Sequence, residues 1–201
     1  MSSCIFLDKI TPGLLVKNYK RKNYPLFETG EYNINIFGIR ADENVSNTFN
    51  DALGVFYKSG GKWVVRKYSA TTDPGLYWRL HPMNCNGTAI LQPGYYKGAF
   101  RMGYHQGKYP ALVQNKPLTL WRDNNKDNVL DRKGSTYTEI AGINIHHAGS
   151  HSVQVDKWSA GCQVISDISD WNEFFNIIKI SSQKYGSVFS YALFTYKEFF
   201  S

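Results

Sequence analysis

Short runs of apolar and aromatic residues, separated by turn residues, dominate the chain from residue 53 onward. The runs 53–57 and 63–68 flank the turn Ser59-Gly60-Gly61-Lys62, which predicts a β-hairpin. Extended segments on both sides of Pro93-Gly94 and the run 112–121 predict further strands. Runs of this length are typical of strands and too short for long helices, so the pattern favours β structure.

Alternation of apolar and polar residues marks a strand at 143–146, with the sequence Ile-Asn-Ile-His. Successive side chains of a strand point to opposite faces, so the two isoleucines are expected to face a core. His146 is then expected on the other face, toward a cleft. Residues 163–165 predict another short strand, and residues 188–196 predict a final one.

Helical periodicity is convincing in one place, near the C-terminus. Asp170 and Glu173 have the spacing of a capping box at a helix start. Gly186 is a typical helix end. Four large apolar residues lie between them at helical spacing, namely Trp171, Phe174, Phe175 and Ile178.

The N-terminal quarter is less regular than the remainder. Residues 32–37 alternate and predict a strand, and residues 40–50 are polar and predict a loop. We therefore predict two units: an N-terminal extension, residues 1–50, packed on a main domain, residues 51–201. The predicted fold class is mainly β, a sandwich or barrel-like sheet with one substantial helix near the C-terminus.

Composition and charge limit the classes of partner. Hydrophobic residues make up 42% of the chain and aromatic residues 15%, which excludes a disordered protein. The formal charge of +7 favours an anionic partner, such as nucleic acid, a membrane surface or a cell-wall polymer. The alternative is a soluble protein that is basic but has no anionic partner. No dense Lys/Arg run marks a nucleic-acid groove, so no nucleic acid is expected.

The N-terminus lacks the pattern of a signal peptide, and no apolar run reaches transmembrane length. The expected protein is made in the cytoplasm and does not insert into a membrane. The sequence does not predict an oligomeric state.

Three cysteines, Cys4, Cys85 and Cys162, have no zinc-site spacing, and their odd number leaves at least one unpaired within the chain. Cys162 follows a glycine, and the histidine pair His146-His147 lies upstream across a polar loop. An imidazole can take the thiol proton, and the thiolate can then attack a carbonyl carbon. Gly161 permits a sharp turn before the thiol, and its amide and that of Cys162 are candidates for an oxyanion hole.

These pieces resemble the catalytic motif of the L,D-transpeptidase (YkuD-type) family. That motif is a strand ending in Ile-His, then a loop, then Ser-x-Gly-Cys; here the pieces are Ile145-His146-His147 and Ser159-Ala160-Gly161-Cys162. Upstream, the hairpin 55–68, a Thr- and Gly-containing loop at 69–75 and a Pro-Gly-aromatic step at 91–96 follow in the family's order. The resemblance covers residues 53–196.

The resemblance implies a β-rich catalytic fold that acts on peptidoglycan stem peptides through a thioester. Cys162 would be the nucleophile, His146 the base, and the carbonyl of His147 the group that orients the imidazole. Gly161 and Ser159 would shape the oxyanion site. Water would resolve the thioester in a carboxypeptidase or endopeptidase, and an amine would resolve it in cross-linking or exchange.

The absence of a signal peptide fits a divergent member that degrades or modifies the cell wall, such as a phage lysis enzyme or a delivered antibacterial effector. Such a protein would act in the periplasm or cell wall after release or delivery by another system. Two other functions remain open. One is a catalytically degenerate module that binds the cell wall, and the other is a cysteine acyltransferase or protease with a different substrate.

Two positions depart from the family's pattern. Ala160 stands where the family usually has histidine, and Gln163-Val164 replaces an apolar residue followed by Arg or Asn. These positions help to shape the oxyanion site and the acceptor pocket. The departures therefore concern the release of the acyl group more than the thiol chemistry.

Three further residues are weaker candidates for substrate binding. His105 lies between Gly103 and Gly107, which predicts an exposed, tightly turned loop. Tyr104 and Arg101 precede it and could contact a stem peptide, the arginine through a carboxylate.

Residues 123–131 resemble the first part of a calcium-binding loop. Oxygen-bearing side chains recur at Asp123, Asn125, Asp127 and Asp131. The twelfth position is Gly134 instead of the usual glutamate. The alternatives are a structural calcium site and an Asn-rich surface turn; no cofactor is expected to be required for the reaction.

Overall fold

A computed structural model describes residues 4–45 and 47–201. Strands account for 38% of the residues and helices for 21%, so the predicted mainly β class is confirmed. The strands are β1 (Asn35–Arg40), β2 (Asp51–Ser59), β3 (Lys62–Thr71), β4 (Thr88–Leu91), β5 (Gly94–His105), β6 (Tyr109–Gln114), β7 (Leu118–Asp123), β8 (Thr136–Glu139), β9 (Ile145–His147), β10 (Gln163–Ile165) and β11 (Val188–Thr195). The helices are a 3₁₀ turn (Leu7–Lys9), α1 (Pro12–Arg21), α2 (Leu76–Leu80), α3 (Ile168–Tyr185) and α4 (Tyr196–Phe200).

Eight strands close into a barrel in the order β1-β11-β5-β6-β9-β10-β3-β2, and β4, β7 and β8 form a separate sheet. The predicted hairpin is confirmed: β2 and β3 pair antiparallel from Asp51 opposite Ala70 to Ser59 opposite Lys62. In two pairs of adjacent strands, β1 with β11 and β9 with β10, the strands run parallel. The second of these parallel pairs carries the candidate site.

Strand β1 is buried on both faces because it contributes to two hydrophobic cores. Ile36 packs in a cluster that includes Trp171 and Phe174 of α3. Phe37 and Ile39 pack in a second cluster, which α1, α4 and the N-terminal segment complete. The C-terminal helix predicted from periodicity therefore covers one core, and the N-terminal residues cover the other.

The first 50 residues do not form an extension outside the main domain. Residues 35–40 lie within the barrel as β1, hydrogen-bonded to β2 on one side and β11 on the other. The strand predicted at 32–37 begins three residues later and continues to Arg40. Helix α1 was not predicted, although Thr11 caps it by accepting a hydrogen bond from the Leu14 amide and Pro12 follows at the first helical position.

The capping box predicted at Asp170 and Glu173 is wrong. Asp167 caps α3 instead, through a 2.7 Å hydrogen bond from the Ser169 amide to its carboxylate. The Glu173 carboxylate accepts hydrogen bonds from Arg66 and from the Tyr68 hydroxyl. The predicted helix end is confirmed at Gly186, whose φ of 89° favours glycine.

One predicted turn and one predicted strand region each connect the two sheets. Pro93-Gly94 lies between β4 and β5, but β4 pairs with β7 in the small sheet and β5 belongs to the barrel. The run 112–121 likewise divides into β6 in the barrel and β7 in the small sheet. Among the described residues, no helix is long and apolar enough to cross a membrane.

Candidate active site

The parallel pairing of β9 with β10 brings the histidine and the cysteine together. His146 lies opposite Val164 in this pair, and the Gln163 amide donates to the Asn144 carbonyl at 2.8 Å. Cys162 comes directly before β10, so its thiol lies next to the start of β9, where the Asn144 amide donates to Sγ. The ligand atoms of Cys162, His146 and His105 all lie within 4.8 Å of one another.

His146 is held in the tautomer that a general base needs. Its Nδ1 lies 2.9 Å from the His147 carbonyl oxygen and 3.2 Å from the Tyr109 hydroxyl. A carbonyl can only accept, so we assign the hydrogen to Nδ1. Nε2 is then left as the proton acceptor, and it is buried without a hydrogen-bond partner in the described chain. The contact to the His147 carbonyl is the one that the family resemblance implied.

The expected outward orientation of His146 is wrong, because the residue is only 1% exposed. Cys162 is 8% exposed and lines a cleft of about 390 Å³ together with His105 and Asn144. The imidazole therefore lies behind the thiol, and a substrate in the cleft reaches the sulfur first.

Burial keeps both members of the pair neutral. It raises the pKa of the Cys162 thiol to about 11, and the hydrogen bond from the Asn144 amide to Sγ, at 3.4 Å, opposes this only in part. Burial also lowers the pKa of His146 to about 3, with a further lowering from the neighbouring His105. At neutral pH the site holds a thiol and an imidazole, not a thiolate–imidazolium pair.

We expect Cys162 of the free protein to be alkylated slowly by iodoacetamide at neutral pH. Because the thiolate is the reacting form, the rate will rise about tenfold per pH unit up to about pH 10. Peptide mass analysis after timed labelling measures this rate, and the exposed Cys85 is an internal reference for reagent access. Fast labelling of Cys162 that is independent of pH between 6 and 9 would contradict the neutral pair.

His105 supports His146 from the other side. Its ring stacks on that of His146 with centroids 4.0 Å apart, and its Nδ1 lies 3.0 Å from Nδ2 of Asn144. The Asn144 amide orientation is fixed, since its Oδ1 accepts a hydrogen bond from the Gln114 amide. His105 Nδ1 is therefore an acceptor, and its hydrogen is on Nε2.

A cysteine and two histidines are also a donor set that zinc accepts. Nδ1 of His105 is occupied by the Asn144 amide, and Nε2 carries the hydrogen. Zinc binding through Nε2 would require this proton to leave and the Asn144 contact to break. The present hydrogen bonds therefore fit the metal-free arrangement of a Cys-His pair better.

The turn before the thiol is fixed by Ser159. Its hydroxyl donates to the Cys162 carbonyl at 2.8 Å and accepts from the Gly161 amide at 3.1 Å. The Gly161 amide is thus already used, and its predicted role in an oxyanion hole is wrong. The amide of Cys162 remains the candidate donor from this turn.

Glycine is required at 161 for two reasons. Its φ of +122° is rare for residues with a side chain, and a Cβ there would lie 2.6 Å from the carbonyl oxygen of Ala89. The small sheet, through β4, therefore closes against the turn that carries Cys162.

Replacing Gly161 with alanine will lower the free energy of unfolding by about 1–3 kcal/mol from backbone strain alone, with the Ala89 collision in addition. Gly61 is the matched control, since it has a φ of +74° with nothing within 4 Å of its Cβ position. Urea denaturation of both variants measures the difference. Equal losses for the two variants would contradict the close contact with β4.

The walls of the cleft come from several parts of the chain. The Trp78 indole donates to the Lys157 carbonyl at 3.0 Å, and the Lys157 ammonium lies 4.3 Å from the centre of the Tyr77 ring. Ala160 also lines the cleft and an adjoining pocket of about 270 Å³, so a small residue there joins the two. The residues with side chains in the cleft include Trp78, Met83, His105, Lys157, Trp158 and Ala160.

Gln163 does not line the cleft. It is fully buried, its Oε1 accepts from the Tyr191 hydroxyl, and its Nε2 donates to the Gly161 carbonyl at 3.2 Å. This departure from the family's pattern therefore supports the turn that carries Cys162 from behind.

The structure brings His105 into the site but not its two neighbours. Tyr104 is 64% exposed, and Arg101 is exposed and pairs with Val188 of β11; neither lines the cleft. The sequence prediction missed Asn144 and Tyr109. Asn144 lies beside His146 in the predicted strand, and its polar face was a usable signal, whereas Tyr109 had none.

Comparison with protein-family models, curated proteins and solved structures finds no match to this chain. The class of the site is therefore defined by its own geometry, a buried cysteine–histidine pair at the base of a cleft.

Proposed function

We propose that this protein is a cysteine-dependent enzyme that transfers acyl groups of peptidoglycan stem peptides through a thioester. One observation carries the proposal: His146 donates from Nδ1 to a backbone carbonyl, which leaves a buried Nε2 without a partner on an imidazole that has a ring nitrogen within 4.8 Å of the Cys162 sulfur. A histidine with a purely structural role has no need of an unpartnered buried nitrogen.

The geometry supports a two-step reaction. His146 Nε2 takes the thiol proton as Sγ attacks the carbonyl carbon, and the developing oxyanion is available to the Cys162 amide. The imidazolium then gives its proton to the leaving amine, the C–N bond breaks and the thioester remains. Water or a second amine attacks the thioester, and Sγ leaves and recovers its proton through His146.

The choice of stem peptides rests on the family resemblance and on the surroundings of the cleft. The net charge of +7 and the position of Lys157 at the cleft favour an anionic polymer with free carboxylates. Aromatic side chains such as Trp78 and Trp158 offer apolar contact to the peptide backbone.

The test is mass analysis of purified sacculi after incubation with the protein, with and without free D-amino acids. Loss of a terminal D-residue identifies a carboxypeptidase, its replacement identifies exchange, and cleaved cross-links identify an endopeptidase. Binding to sacculi without any change in muropeptides would overturn the proposal in favour of a wall-binding module. If the protein neither binds nor modifies the sacculi, the proposal is overturned in favour of another acyl substrate.

A further inference from the structure

The loop that follows β7 presents oxygen atoms at alternate positions and contains one buried carboxylate without a partner. Asp123 ends β7 and is 0% exposed, and neither of its carboxylate oxygens has a hydrogen-bond partner within residues 4–45 and 47–201. Buried carboxylates are normally paired, hydrogen-bonded or bound to metal. The geometry thus gives Asp123 no full hydrogen bond, and the Asp131 amide nearby offsets its burial only in part.

The surroundings of Asp123 make its negative charge more costly. Burial raises the pKa of this carboxyl to about 6, and the negative charges of Asp131 and then Asp127 add to the effect. The backbone amide of Asp131 and, more weakly, the Arg79 guanidinium oppose it only in part. The charges of Asp131 and Asp127 therefore act on Asp123, and the opposing influences offset them only in part.

The rest of the loop is organised by its own side chains. Asn125 accepts from the Asp127 amide and donates to the Asp131 carboxylate at 2.9 Å, while Asp127 accepts from the Val129 amide at 2.6 Å. Lys126 has a φ of +58°, so the sharp turn comes at the fourth position rather than the sixth. The loop also follows a strand, and in both respects it differs from a helix–loop–helix calcium site.

We propose that this loop binds one calcium ion, anchored by the carboxylate of Asp123. Asp127 and Asp131 supply further carboxylate oxygens, and Asn125 supplies its amide oxygen, which at present accepts a hydrogen bond from the Asp127 amide. Oxygen ligands in flexible geometry suit calcium, whereas magnesium demands a nearly ideal octahedron. Three negative charges favour a divalent cation at this position.

The ion would also brace the catalytic cleft. Arg79 of α2 donates to the Asn128 carbonyl in this loop at 2.8 Å, and the preceding residue, Trp78, lines the cleft. A loop ordered by calcium therefore fixes α2, and α2 fixes one wall of the cleft. The binding itself does not depend on the proposed catalytic activity, so the two proposals fail independently.

The test is titration of the full chain with calcium chloride after treatment with chelator, by calorimetry and by thermal melting. Calcium at ~100 times its Kd will raise the Tm by about 5–10 °C, and chelator will reverse the shift. Asp123→Asn will lose the calcium response yet melt no lower than wild type without calcium, because it removes the uncompensated charge. Asp8→Asn, at an exposed aspartate outside the loop, will respond as wild type does.

Asp127→Asn is a second variant that keeps the oxygen accepting from the Val129 amide but removes one charge. It will fold and bind calcium more weakly than wild type, so the test holds even if the Asp123 variant fails to fold. Calcium that neither binds nor shifts the Tm of the wild type would overturn the proposal. A wild-type calcium response in both loop variants would also overturn it.

Discussion

Replacing Cys162 with alanine will abolish the modification of sacculi while the protein stays folded. The proposed nucleophile is then lost, and removal of a catalytic nucleophile costs ~10⁶-fold in turnover where it has been measured in a serine protease. The thiol makes two weak hydrogen bonds, accepting from the Asn144 amide and donating to the Gly142 carbonyl, so the loss of stability will be about 1–2 kcal/mol. Muropeptide analysis measures the activity, and thermal melting measures the fold.

Cys85→Ala is the control for this experiment, because Cys85 is an exposed free thiol that lies outside the cleft lining. The Cys85→Ala variant will modify sacculi at the wild-type rate. In the wild type, rapid acid quenching will trap substrate mass on the peptide that contains Cys162. Undiminished product formation by the Cys162 variant would rule out the thioester route.

Local signals in the sequence were sufficient for much of the sheet and for the central pair of the site. Hairpin β2–β3 follows from its turn residues, and β10 follows from the apolar run after Cys162. The order His146, loop, Ser-x-Gly-Cys predicts the cysteine–histidine pair because β9 and β10 lie close in sequence. Each of these features depends on residues near one another in the chain.

Local sequence signals do not predict the pairing of strands that are far apart in the chain. Strand β1 pairs with β11 across most of the chain, and this pairing moves residues 35–40 from a supposed extension into the barrel. Tyr109 reaches His146 because β6 pairs with β9, with Leu112 opposite Ile145. No periodicity in the sequence specifies which distant strands become neighbours.

The error in the oxyanion hole has a different origin. Glycine at 161 correctly indicated an unusual backbone conformation, but backbone freedom does not say where an amide points. The Ser159 hydroxyl accepts the Gly161 amide and donates to the Cys162 carbonyl, so one side chain closes the turn on itself. Hydroxyl contacts of this kind compete for backbone groups and depend on exact geometry.

The neutral resting pair has a consequence for the dependence of the reaction on pH. The productive form has an unprotonated His146 and a protonated Cys162, and the pKa values of about 3 and about 11 bound the range in which both hold. The value of kcat/KM reports groups of the free enzyme. The titration of His146 and Cys162 will therefore leave kcat/KM flat from about pH 5 to about pH 9.

Replacing His146 with glutamine will lower kcat/KM by about 10²–10⁴-fold at neutral pH and will remove this plateau. Without the imidazole the thiol proton must leave to solvent, so the residual rate will rise with the thiolate fraction, about tenfold per pH unit. A residue that merely supports the fold would lower the rate equally at every pH. His151→Gln is the matched control, since that side chain is 94% exposed in the loop between the two halves of the site, and it will keep the wild-type profile. A flat profile in the His146 variant would mean that another group accepts the proton from Cys162.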